Sequence, residues 1–113
     1  MTRALTAADL MSIWERGRRS HPVDRALLML QGACPDLSDD ALARLTIGER
    51  DRLLLAARAC TLGERLDASA SCPQCATALE FSVAANDLRQ ADDASGAREP
   101  IELEESGFYV ALR

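Results

Sequence analysis

The sequence predicts an α+β fold: an N-terminal bundle of three to four helices, then a small antiparallel sheet with a Cys-x-x-Cys hairpin. Three observations predict it. Apolar residues recur at helical spacing as far as about residue 61, behind start signals at Thr6, Ser38 and Thr46. The period then switches to alternation over 66–72 and 79–83. Between those two runs stands Cys72-Pro73-Gln74-Cys75, a tight-turn sequence.

The elements follow in order. Thr6 with Asp9 forms a capping-box start, after which Leu10, Ile13, Trp14 and Gly17 share one helical face. Arg16, Arg18 and Arg19 suit the C-terminal end of that helix. Pro22 opens a second helix, with His21 as a capping or surface residue, and Val23, Ala26, Leu27, Leu30 and Cys34 on its apolar side. Cys34-Pro35 ends it, and Ser38 caps a short third helix over 39–44. Thr46 and Glu49 start a fourth helix that runs to about Thr61. Leu53, Leu54, Ala57 and Cys60 are expected on its buried side, Arg50, Arg52 and Arg58 in solvent, and Gly63 at its stop. Asn86 and Asp87 are expected to end the second strand. The expected parts are a helical part (1–63), a Cys-turn hairpin (64–89), a flexible linker (90–100) and a C-terminal hairpin (101–113), all in one compact domain.

Composition limits the function classes. A chain of 113 residues, 48% hydrophobic but only 4% aromatic, must build a modest core from Leu and Ala, and such a core leans on partners. The net charge of −5, with Arg scattered along the chain, argues against a general nucleic-acid binder. No window reaches the ~20 apolar residues that span a bilayer, so membrane insertion is not expected. The opening residues lack a signal-peptide core, so synthesis in the cytoplasm with reduced thiols is expected.

Cys72 and Cys75 are the most specific local feature. Two thiolates two residues apart in a hairpin turn suit one tetrahedral metal, and zinc is the cofactor this pattern points to. Four ligands are needed, and Cys34, Cys60 and His21 are the candidates to complete the set. Against that, Cys34 and Cys60 fall on apolar helical faces, where a thiol behaves as a small hydrophobe. Ala76 stands where a zinc knuckle commonly carries Gly, a departure that costs about 1 kcal/mol if φ is positive. Zinc held within the chain, free thiols, a disulfide and a metal shared with a partner remain open at this point.

Thioredoxin-like chemistry would need the Cys pair at a helix N-terminus, and here it joins two strands. No nucleophile has an evident base and no Gly-rich phosphate loop occurs, so no catalytic residue is assigned. Trp14 reads as core, with an interface anchor as the alternative. Phe108, Tyr109, Val110 and Leu112, on an apolar strand beyond the linker, are the expected partner-binding residues. The alternative is that this strand docks on the 66–83 hairpin.

The order of these features resembles the T4-type bacteriophage baseplate protein family. The residues that carry the resemblance are Leu53 to Leu55, the segment Thr61-Leu62-Gly63-Glu64-Arg65-Leu66, the Cys72–Cys75 turn and the strand Leu79 to Val83. It covers roughly residues 5 to 90. Family members tend to continue from a strand like Phe108–Arg113 into a further segment, so this sequence reads as a short member or a truncated one. The resemblance implies a non-enzymatic structural or assembly component of a contractile phage tail or phage-like injection-system baseplate. It implies baseplate or tail proteins as partners, and incorporation in a phage or phage-like particle. The alternative is a small zinc-ribbon-like adaptor that binds another cellular protein.

Overall fold

A computed structural model describes residues 1–89, together with the strand backbones of 101–103 and 108–110. Four helices come first: α1 (Ala7–Gly17), α2 (Pro22–Ala33), α3 (Asp39–Ala43) and α4 (Ile47–Leu62). The strands β1 (Arg65–Ser71) and β2 (Ala78–Ala84), the short helix α5 (Ala85–Leu88), and the strands β3 (Ile101–Leu103) and β4 (Phe108–Val110) follow. Helices followed by an antiparallel Cys-turn hairpin are the architecture the sequence predicts.

Each helix starts where a side chain can satisfy its first free N–H groups. The Thr6 hydroxyl accepts from the Asp9 N–H at 3.2 Å while the Asp9 carboxylate accepts from the Thr6 N–H at 2.8 Å. Thr46 and Glu49 repeat this reciprocal pair at the start of α4. His21 Nδ1 accepts from the Val23 N–H at 3.2 Å, ahead of Pro22. Ser38 accepts from the Ala41 N–H. Gly63 ends α4 at φ 95°, a conformation open to a residue without Cβ.

The core is small and, among the described residues, contains no aromatic ring. Leu30, Ala33 and Cys34 from the α2 end, Leu42 from α3 and Ala57 from α4 are buried, with Leu5, Leu27, Leu45, Leu53 and Leu54 packed around them. The segment before α1 sews this core together. The Arg3 N–H donates to the Ala33 carbonyl at 2.8 Å, and the Leu5 N–H donates to the Thr61 hydroxyl at 3.0 Å. Leu5 lies over Gly32 so closely that a Cβ there would stand 2.9 Å from its Cδ2.

Four expectations need correction. Trp14 is 58% exposed, because α1 approaches α2 through Gly17 and Ile13. One residue past Ile13 is a turn of ~100°, which carries Trp14 outward, where the Arg18 guanidinium lies 5.3 Å from its ring centre. Cys60 is exposed, since it falls at the edge of the buried stripe in the last turn of α4. Val23, in the first turn of α2, is also exposed. Arg58 is not a solvated arginine: it donates to the Gly63 carbonyl at 2.7 Å and to the Arg65 carbonyl at 3.0 Å, tying the end of α4 to β1.

β1 and β2 pair antiparallel from Arg65↔Ala84 to Ser71↔Ala78. Leu66, Ala68 and Ala70 face Val83, Phe81 and Leu79, so one side is apolar. On the other side the Ser82 hydroxyl donates to Asp67, which also accepts from Arg65, and these bonds hold the Asp67 carboxyl below the usual range. The second strand ends at Ala84, two residues earlier than expected. The chain there enters α5, with Ala85 fully buried and its N–H donating to the Glu64 carbonyl at 2.8 Å. The Glu64 carboxylate accepts from the Asn86 N–H and from Arg89. The base of the hairpin is therefore fastened on both strands. β3 and β4 form a separate antiparallel pair, in the register Ile101↔Val110 to Leu103↔Phe108. The expected linker 90–100, the residues 104–107 between β3 and β4, and Leu112 lie outside the described residues.

Candidate functional site

The tip of the β1–β2 hairpin is built by short-range bonding. The Cys72 N–H donates to the Thr77 carbonyl, and the Ala76 N–H donates back to the Cys72 carbonyl, both at 2.9 Å. Closing this loop requires a left-handed residue, and Ala76 supplies it at φ 58°. Ala76 is the one non-glycine residue at positive φ among the described residues. An L-residue held there costs about 1–2 kcal/mol relative to its ordinary conformations. The positive φ that a zinc knuckle commonly gives to Gly is taken here by Ala.

This wrapping brings the two sulfurs together. Cys72 is half-buried and Cys75 exposed, and both are free thiols. Cys75 Sγ lies 3.1 Å from the Thr77 hydroxyl. That hydroxyl, then the Thr77 backbone, then the Cys72 thiol hold the Cys75 thiol below its ordinary pKa, because each stabilises the thiolate.

The other sequence-predicted ligands are not gathered there. Cys34 is buried in the helical core, and burial pushes its thiol up. Cys60 sits at the far end of α4, with its sulfur 3.9 Å from the Thr2 carbonyl. His21 spends Nδ1 on the start of α2. Among the described residues, no group of three or more His, Cys, Asp or Glu could hold a metal ion within one chain.

Two exposed apolar surfaces accompany the tip. Leu79 and Phe81, 47% and 48% exposed, lie on the apolar side of the hairpin just behind the Cys turn. Leu10, Met11 and Trp14 form a second patch on α1. Sequence reasoning missed the α1 patch, because helical spacing alone does not say which side of an apolar stripe meets the core. Phe108, Tyr109 and Val110 lie in β4, paired to β3; their side chains lie outside the described part. No helix among the described residues is long and apolar enough to cross a membrane.

No curated protein and no solved structure matches this chain. A family pattern does: that of the T4 bacteriophage base plate protein, over residues 9–113. The match takes in α1 from its third residue, α2 to α4, the Cys-turn hairpin, and both strands of the second pair. With helices, hairpin and C-terminal strands all inside one family pattern, the chain belongs to the T4 bacteriophage base plate protein family.

Proposed function

We propose that this chain is a non-enzymatic component of a contractile-tail or injection-system baseplate, acting by holding neighbouring baseplate or tail proteins. The observation that carries the reading is the family match over residues 9–113. The surface supports it. A domain with a small Leu–Ala core leaves Trp14, Met11, Leu79 and Phe81 exposed, and aromatic and Met side chains are the kind that anchor interfaces. The residues behind the family resemblance are turn formers, helix-end residues and apolar strand positions, which build shape rather than acid–base chemistry. Residues 101–113, with Phe108, Tyr109, Val110 and Leu112, are proposed as a partner-binding segment that adds strands to a neighbour.

Affinity capture of the full chain, co-expressed with a set of tail and baseplate proteins, tests the reading. A specific baseplate or tail protein should be retained. A version ending after Glu99 should lose that partner while its helices still melt cooperatively. Recovery of polymerase or regulatory proteins in place of tail proteins would overturn the proposal in favour of an adaptor.

A further inference from the structure

The chain has four Cys and one His, and all five fall within the described residues. Cys34 is sealed in the core, Cys60 lies at the end of α4, and His21 caps α2. Cys72 and Cys75 alone converge, at a turn closed by the left-handed Ala76, with the Cys72 thiol near enough to bond the Cys75 sulfur. A thiolate zinc site is tetrahedral and takes four ligands, so this pair is half of one. The sulfur and nitrogen ligands that would complete it inside the same chain are placed elsewhere in the fold.

We propose that Cys72 and Cys75 hold one zinc ion jointly with the same pair of a second copy of this chain, forming a four-thiolate centre on a two-fold axis. A two-fold axis brings identical patches together, so two half-sites of two ligands complete four with no residue left over. The hairpin tip suits such an approach. Pro73, Gln74, Cys75 and Ala76 are all exposed, and two tips can meet without displacing the helical core. Leu79 and Phe81 lie immediately behind the tip, and a second hairpin would cover them. Binding converts four thiols to four Zn–S bonds and releases four protons to solvent; no oxidant or reductant takes part. The inference is independent of the baseplate reading.

The test uses the full chain, reduced, stripped with chelator and titrated with zinc chloride. Bound metal and molar mass are then read on the same samples. The expected result is half an equivalent of zinc per chain, with monomer converting to dimer as zinc is added. Cobalt in place of zinc should give the visible spectrum of a tetrahedral four-thiolate centre. Cys72→Ser and Cys75→Ser should each abolish uptake and dimerisation with the helical circular dichroism unchanged, while Cys60→Ser should leave both intact. One full equivalent in a monomer, no uptake at all, or a molar mass indifferent to zinc would each overturn the proposal on the unmodified chain.

Discussion

Two glycines of the same helix should respond to Ala with opposite sign. Gly48 lies in the first turn of α4, and a Cβ built there meets nothing within 4 Å. Gly63 ends α4 at φ 95° and ψ 165°, where a Cβ also meets nothing but the backbone itself is of a kind confined to glycine. Gly→Ala restricts the unfolded chain by the same amount at both sites, a gain of about 0.4–1 kcal/mol. At Gly48 nothing opposes that gain, so Gly48→Ala should stabilise by about that much. At Gly63 the strain of about 1–3 kcal/mol opposes it, so Gly63→Ala should lose up to about 2.6 kcal/mol. In a domain of this size 1 kcal/mol moves the melting temperature by about 4–8 °C. Thermal and urea melts followed at 222 nm would place the two variants on either side of the parent. Variants that shift together, in either direction, would refute the reasoning, because only the local backbone distinguishes the sites.

Two further outcomes follow from the same geometry. In metal-free protein, Ellman's reagent should consume Cys75 and Cys60 early and Cys34 only as the core opens; Cys34 labelled with the fast thiols would contradict its burial. Asp9 is held well below the usual carboxylate range, by Arg3 first and then by the Thr6 N–H and hydroxyl. The folded pKa is depressed, so the contribution of Asp9 is fully present above its unfolded value of about 3.9 and is lost as pH falls below it. Asp9→Asn should accordingly flatten the acid side of the stability profile, and an unchanged profile would remove Asp9 from the account of α1.

What was legible in the sequence is what is decided locally. Capping boxes at Thr6–Asp9 and Thr46–Glu49, the stop at Gly63 and the alternation around the Cys turn involve residues three or fewer apart, so their spacing is the structure. Trp14 and Cys60 are not placed by spacing for a shared reason: their exposure depends on how α1 and α4 are rotated against their neighbours. That rotation is set by contacts distant in sequence, such as Leu5 over Gly32 and the Leu5 N–H on Thr61. The candidate site divides the same way. Convergence of Cys72 with Cys75 was readable from their spacing, whereas the separation of Cys34, Cys60 and His21 from them is a tertiary fact.

The fastening at the root of the hairpin makes the β1–β2 pair a lever. Its strands are seven residues long, an arm of ~23 Å. A rotation of ~10° at the root would sweep the Cys turn through about 4 Å, more than a zinc–sulfur bond length of about 2.3 Å. Load applied to the tip arrives at Glu64 and Arg65. From there the Arg58 guanidinium delivers it to α4 at the residue next to Ala57 of the core. Loosening that single arginine would therefore blunt the aim of the tip while leaving its chemistry intact, which separates the reach of this protein from its grip.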